Sequence, residues 1–371
     1  MIEEDRQYRL DLHQYFLPFI SKNYKLRNFT EFLFFDTFNV SSIMLKIRFL
    51  NFFMINYFLK LIIISFFLFF SFLKYNIAEN NQILLNEVLP GILIYYGENE
   101  EPNEINKGAI ANKIAIIGNK SILVYDAGPS KEFAKRFIKE LRKYSKKPIK
   151  YLVISHRHFD HAYGIEVYIK KKVTIFIDKT EYSYLKKEGP LINNLLIKNL
   201  GFNEDNINFD NISEEIIKFL ADSIEVNLGN RRVLIKNLGI AHTKGDLIAY
   251  DFNTNTYITG DVIFIGRAAA FSDANIPMWI NVINNKLDLS WDYLIPGHGS
   301  IINNKLELND TKNWLYFLDN AAKQAVSEGD MISEIFQYPI PKEIHHLKMK
   351  SITLRQGIKK QLDLYRKKYI E

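Results

Sequence analysis

Three of the chain's eight histidines fall within six residues, His156-Arg157-His158-Phe159-Asp160-His161, directly behind the apolar run Tyr151-Leu152-Val153-Ile154. Donors at i, i+2, i+4 and i+5 cannot share one face of a strand, where side chains alternate, or of a helix, where they recur every three to four positions. A loop at the end of a buried strand can aim all four inward. Imidazole and carboxylate groups gathered in that way suit zinc, iron or manganese. A solvated His-rich loop would be flanked by polar residues. Here an apolar run precedes the cluster and Ala162-Tyr163-Gly164 follows it, so the flanks read as packed core.

Further donors recur at the same kind of place. His242 follows the run Arg232–Lys236, Asp261 in Thr259-Gly260-Asp261 ends the run Thr256–Thr259, and His298 in Pro296-Gly297-His298-Gly299 follows Tyr293–Ile295. Four strand ends each deliver a metal-type ligand, and the glycines beside two of them allow close backbone approach. Seven donors exceed the needs of one ion, whereas two ions about 3.5–4 Å apart that share a carboxylate use them all. We expect His156, His158 and His242 to hold the first ion and Asp160, His161 and His298 the second, with Asp261 between them. The 371 residues include no cysteine, which removes thiolate ligands, thiol nucleophiles and disulfides together.

The rest of the chain reads as mixed α/β. Gly91–Tyr96, Ile114–Ile117 and Ser121–Tyr125 are strand-like, the last two joined tightly through Asn119-Lys120. Lys131–Tyr144 carries apolar residues at helical spacing behind Ser130, a capping residue. Tyr151–Ile154 is a buried strand, and residues 180–199 and 213–220 are expected to be helical. Strands return at 232–236, 247–252, 256–259 and 293–295, with Asn253-Thr254-Asn255 as a turn. Residues 306–371 read as an amphipathic helical extension of the body at 82–305.

Residues 44–78 read as a signal peptide or membrane anchor. Leu61–Leu73 is 13 residues without a charge, preceded by Lys46, Arg48 and Lys60 and followed by Lys74. A signal core needs ~7–15 apolar residues and a spanning helix ~20, the latter met if residues 52–73 form one segment. Either reading places the body outside the cytoplasm, because the positive flank stays inside. The body is then periplasmic, or attached through residues 52–73 to the outer face of the cytoplasmic membrane. Met44 or Met54 would begin a well-formed export signal, so residues 1–43 read as a non-native or disordered extension, a cytoplasmic tail being the alternative. Net charge is +6; residues 1–78 hold nine basic and six acidic residues, which leaves the body near neutral. No broad basic face argues for nucleic acid.

The series His156-x-His158-x-Asp160-His161, His242, Thr259-Gly260-Asp261 and Pro296-Gly297-His298-Gly299 resembles the metallo-β-lactamase superfamily over about residues 85–305. The resemblance implies an αββα sandwich, α/β in class, with metals at one sheet edge. It also implies that Asp126, in Val124-Tyr125-Asp126-Ala127-Gly128, supports the metal loop. A narrower similarity, reaching residue 371, is to the quinoprotein relay system zinc metallohydrolases. It rests on Gly108–Asn112, Ala127–Ser130, Lys147-Pro148-Ile149, Ala241–Leu247, Gly266-Arg267, Asp273–Trp279 and Leu354-Arg355-Gln356. This similarity implies zinc, two ions here, and a functional link to a periplasmic quinoprotein dehydrogenase; iron or manganese are the alternatives. Two positions depart from the pattern: Lys244 stands where proline is usual, and Ala268-Ala269-Ala270 is bland where substrate contacts would lie.

The expected chemistry is hydrolysis of a small molecule. Two cations lower the pKa of a bridging water from ~15.7 towards ~7, and the hydroxide attacks an ester, thioester, lactone or amide carbonyl. Asp160 and Asp261 would relay the proton. Arg267 could bind an anionic group, and Tyr163 and Trp279 could line the pocket, although arginine is mostly solvated and aromatic residues mostly core. The alternatives are a β-lactamase, disfavoured by Asp261 where dedicated lactamases carry Cys or Ser; a mononuclear iron dioxygenase acting on persulfides; and a non-enzymatic periplasmic accessory or binding protein with structural metals.

Overall fold

Apolar runs of four or five residues can be buried on both faces only where each face is covered, and both faces are covered here. The computed structural model describes residues 40–79, 83–201, 214–287 and 290–369. The chain divides into two units, Met1–Gln82 and Ile83–Glu371. The described part of the first is one helix, α1 (Val40–Glu79), whose apolar side chains between Leu50 and Phe69 are exposed.

The second unit opens with β1 (Asn86–Leu89), β2 (Ile92–Tyr95), β3 (Lys113–Ile117) and β4 (Ile122–Tyr125), followed by α2 (Lys131–Tyr144) and β5 (Ile149–Val153). Two short helices, α3 (Phe159–Ala162) and α4 (Ile165–Lys170), lead to β6 (Thr174–Ile177), α5 (Lys179–Leu200) and β7 (Ile217–Phe219). These seven strands form one sheet in sequence order, antiparallel from β1 to β4 and parallel from β4 to β7. A second sheet comprises β8 (Ser223–Asn227), β9 (Arg232–Asn237), β10 (Leu247–Asp251), β11 (Thr256–Ile258) and, beyond α6 (Ile276–Asn285), β12 (Tyr293–Ile295). Its order is β12-β11-β10-β9-β8, with only the β11–β12 pair parallel. The chain ends in α7 (Asn309–Glu328), α8 (Ile332–Ile335) and α9 (Lys350–Tyr369).

The alternation of side chains sorts the core into three layers. In β4, Leu123 and Tyr125 face the second sheet, where they join Val233, Ile235, Leu247 and Ile295. Ile122 and Val124 face the other way, onto Phe133, Phe137 and Leu141 of α2. On the far side of the second sheet, Ile248 and Leu294 pack with Trp279 of α6, Trp314 and Leu318 of α7 and Ile358 of α9. The order is helix, sheet, sheet, helix, the expected αββα sandwich.

Local chemistry explains the main boundaries. Ser130 accepts a hydrogen bond from Phe133 N at 3.1 Å and so caps α2. Gly118 N donates to Ser121 O at 3.0 Å around Asn119-Lys120, closing the β3–β4 hairpin. The helix expected at 213–220 is not formed: Glu214–Ile216 is a single 3-10 turn and Ile217–Phe219 is β7, with residue 213 outside the described residues. The open edge of β6 offers unpaired backbone groups, and pairing with Ile217 satisfies them while burying its side chain. The C-terminal segment is helical as expected but in pieces, broken at Gly329, which has φ +76°, and at Pro339 and Pro341.

Arg231, just before β9, staples the two sheets at the end of β10 remote from His156. Its Nε and Nη2 donate to both oxygens of Asp251 at 2.8 and 2.9 Å, and its Nη1 donates to Pro90 O and Ile117 O of the first sheet. Removing one partner of a buried pair strands the other charge, at a cost of about 3–5 kcal/mol. Asp251→Ala is therefore expected to lower the unfolding free energy by about that amount in urea denaturation, with metal uptake unchanged.

Candidate metal centre

The loop between β5 and α3 is tied at both ends by one carboxylate. Asp126 accepts from Ser155 N (2.8 Å) and Ser155 Oγ (3.0 Å) before His156, and from His161 Nδ1 (2.7 Å) at the loop's far end. Ser155 O in turn accepts from Leu247 N at 2.9 Å, which sets the turn bearing His242 against the loop. Asp261 sits in the 3-10 turn Gly260–Val262 after β11, and His298 follows β12.

All seven expected donors are brought together, in two sets. His158 Nδ1 lies 3.0 Å from His156 Nε2 and 3.1 Å from His242 Nε2. Asp261 Oδ2 is 3.4 Å from His242 Nε2 and 3.9 Å from His156 Nε2. In the second set Asp160 Oδ2 is 3.5 Å from both His161 Nε2 and His298 Nε2. Asp261 reaches this set too, at 3.1 Å from His161 Nε2 and 3.4 Å from His298 Nε2. It therefore stands between the two. Nitrogen ligands at about 2.0–2.1 Å around a tetrahedral zinc are about 3.3 Å apart, so the spacing fits a cation in each set. His161 Nε2 and Asp261 Oδ1, which face the centre, are buried without a hydrogen-bond partner among the described residues, as is the outer nitrogen of His242, Nδ1.

The outer ring nitrogens show why the inner ones are available. Ser155 Oγ donates to Asp126 and can accept from His156 Nδ1 at 3.0 Å. His298 Nδ1 donates to Ile110 O at 2.8 Å, and His158 Nε2 donates to Asp273 Oδ2 at 3.0 Å. With their N–H groups committed outward, these rings present lone pairs to the centre, and His161 would do so once a cation displaces its second proton. Burial pushes His156 well below the usual imidazole range, pushes His242 down to about 3 and lowers His298, so these three are neutral. Burial also opposes charge on His161, but Asp261, Asp160 and Asp126 outweigh it and raise its pKa to about 10. Asp261 is held well below the usual carboxylate range, because the charge of His161 outweighs its burial.

Several residues support the site through contacts that the sequence does not display. Lys113 is fully buried, its Nζ donating to Ala111 O and Asn112 O at 3.0 Å, within electrostatic reach of Asp126, Asp160 and Asp261. Asn112 Nδ2 donates to Pro296 O (2.9 Å) and Gly299 O (2.8 Å), clamping the His298 turn. Glu181 of α5 is buried and joins two donor loops: it accepts from Arg157 N (3.1 Å), the Arg157 guanidinium (3.1 Å) and Lys244 N (3.0 Å). A proline at 244 would have no N–H to give, so the departure at that position creates this bond. Each is a single polar residue with no recurring spacing.

The expected substrate contacts are placed differently from one another. Arg267 is buried with Nη1 3.4 Å from His298 Nδ1. Tyr163 is buried edge-on to Phe159 and lines, with His158 and Tyr184, a cavity of about 90 Å³. Trp279 is fully buried in the core: its ring backs His242 at 5.1 Å and its Nε1 donates to Val262 O at 2.9 Å. Ala268 and Ala269 are buried in the core.

A sandwich with this cluster at one end defines a class, and direct comparison agrees. The family model described as the metallo-beta-lactamase superfamily matches residues 109–316, more than half of the chain. The chain belongs to that superfamily, whose members are hydrolases. It is similar to the linear primary-alkylsulfatase of a Pseudomonas species, with 27% identity over 89 residues. That stretch is 22% of this chain and 17% of that protein, so the chain spans less than a fifth of the curated relative it matches. Among solved structures, the metallo-beta-lactamase from Pontibacter korlensis aligns with a TM-score of 0.50 at 14% identity, over 63% of this chain and 99% of that one. TMB-1 aligns with a TM-score of 0.48 at 17% identity, over 64% and 99%.

Gly297 offers a test of the arrangement. A Cβ there would fall 2.0 Å from Asp261 Oδ1 and 2.6 Å from Gly260 C. Gly297→Ala is expected to displace the shared carboxylate. Metal uptake, measured by elemental analysis after dialysis, should fall to half or less, while the far-ultraviolet circular dichroism is retained.

Proposed function

We propose that the chain is a metal-dependent hydrolase that holds two cations, zinc in the first instance, and cleaves an ester, thioester, lactone or amide of a small molecule. The observation that carries this reading is the convergence of seven buried or half-buried donors in two sets that share Asp261. Cations bound there would supply a hydroxide near neutral pH and a Lewis acid for the carbonyl oxygen.

The chain's own residues do the rest. Asp126, Ser155, Ile110 O and Asp273 fix the rings so that no reorganisation is needed when a ligand arrives. Asp160 and Asp261, the two carboxylates of the cluster, are the groups that would take and return the nucleophile's proton. Lys113 offsets part of the charge of three buried aspartates. Arg267, buried beside His298, is positioned to favour an anionic group.

The placement of this enzyme belongs to the same proposal. Leu50–Phe69 of α1 is long and apolar enough to cross a membrane, and the same composition suits an export signal. We assign the body to the outer side of the cytoplasmic membrane, anchored or released. The similarity to the quinoprotein relay group supports a link to a quinoprotein dehydrogenase.

A panel of substrates tests the activity. Zinc-loaded full-length protein is expected to turn over at least one of a thioester, an aryl ester and a lactone, to stop with chelator and to recover with zinc. Turnover of nitrocefin alone would make it a β-lactamase, and turnover of a linear alkyl sulfate alone would make it a sulfatase. Oxidation of a persulfide with one iron per chain would replace hydrolysis altogether.

Metal uptake must also release protons. Without metal, His161 stays protonated up to about pH 10, above the ordinary imidazole value, so a cation binding at neutral pH displaces its proton. Affinity therefore rises with pH from neutrality towards 10. Calorimetric zinc titrations in buffers of different ionisation enthalpy should show net proton release at pH 7, and a titration showing none would refute the assignment of His161.

A further inference from the structure

Two imidazoles of the cluster rest their outer nitrogen on a side-chain carboxylate: His161 on Asp126, and His158 on Asp273 Oδ2, at 3.0 Å, from a loop 115 positions away. The same oxygen accepts Arg157 Nη2 at 2.8 Å, and the second oxygen accepts Lys360 Nζ of α9 at 2.7 Å. Both oxygens are thus used, and the carboxylate cannot rotate away from His158 without breaking an ion pair. α9 grips the Asp273 loop independently: Gln361 Nε2 donates to Phe271 O (3.1 Å) and Ala274 O (2.9 Å). At Gly357 a Cβ would sit 2.6 Å from the Phe271 ring, so helix and loop are in direct contact. The chain's last described helix therefore reaches the cluster through one intermediate side chain.

We propose that Asp273 is a positioning residue for His158 and that α9, through Lys360, belongs to the apparatus that shapes the first metal position. The inference rests on the metal binding proposed above. Asp273 holds the proton on His158 Nε2, so that Nδ1 presents its lone pair beside His156 and His242. Hydrogen-bonded carboxylates of this kind make an imidazole a better donor, and their loss typically weakens metal affinity 10–100-fold. The second set is braced from elsewhere: His161 rests on Asp126 and His298 on the Ile110 carbonyl, so the effect of losing Asp273 is confined to the first set.

The test uses full-length protein titrated with zinc and with cobalt(II) against a competing chelator. Asp273→Asn keeps the volume but offers one oxygen where two are used. It is expected to weaken one of two metal equivalents by about 10–100-fold, to leave the other unchanged and to alter the visible spectrum of the cobalt(II) form. Lys360→Met should weaken the same equivalent by less, and the double variant should be no weaker than Asp273→Asn alone. Because Lys360 is largely exposed, its replacement keeps the test open if Asp273→Asn does not fold. The inference is overturned if both equivalents weaken in step, or if neither changes while the unfolding midpoint falls. Unaltered protein that binds no cation would instead overturn the functional reading on which it rests.

Discussion

The Asp126 carboxylate is the contact on which the rest of the site depends. Its backbone occupies the left-handed region at φ +66°, a conformation that Asp tolerates better than most residues but still at some cost. Three charge-assisted hydrogen bonds from Ser155 and His161 offset that cost, and they close the six-residue loop at both ends. The parallel pairing of β4 with β5 places the two strand ends side by side, so the residue just past one strand can hold the loop that follows the other. Without that closure the short turn of α3 would have nothing to aim Asp160 and His161 inward.

Around this anchor the fold solves an electrostatic problem. Several imidazoles and carboxylates are buried together, and the inner atoms His161 Nε2 and Asp261 Oδ1 find no hydrogen-bond partner among the described residues. The protein supplies compensation from outside the cluster. Lys113 lies behind it, Asp273 with Arg157 and Lys360 lies on one flank, and the Ile110 carbonyl holds the outer ring proton of His298. Such groups cost little when paired and a great deal when stranded. The site is therefore built as a network in which four of the five rings, His156, His158, His161 and His298, are held from outside as well as turned inward.

Much of this was legible in the sequence, for a physical reason. Ligands at strand ends follow runs whose burial is written in their composition, as with Tyr151–Ile154 before His156 and Tyr293–Ile295 before His298. The capping Ser130 and the hairpin at Asn119-Lys120 are equally local signals. What stayed hidden depends on distant partners. β7 forms because β6 leaves an edge to pair with, and β1 and β8 are largely exposed, without the buried apolar run that marks most of the other strands. Glu181 and Lys113 each act across dozens of residues, and a lone charged residue has no period to betray it; Asp273 stood in a recognisable segment, but its contact with His158 was not visible there. Trp279 was readable as aromatic but not as the wall behind His242, since only packing distinguishes the two.

The bond from Lys244 N to Glu181 has an evolutionary consequence. The buried acid draws together the loop of His156 and His158 and the turn of His242, so these two segments are inherited as one mechanical part rather than as separate motifs. A lineage that acquires an imino acid at position 244 removes one of the donors that make a charge at position 181 tolerable. Any residue but proline at position 244 keeps that donor, so the tie constrains the backbone there and the acid at position 181 rather than the lysine side chain.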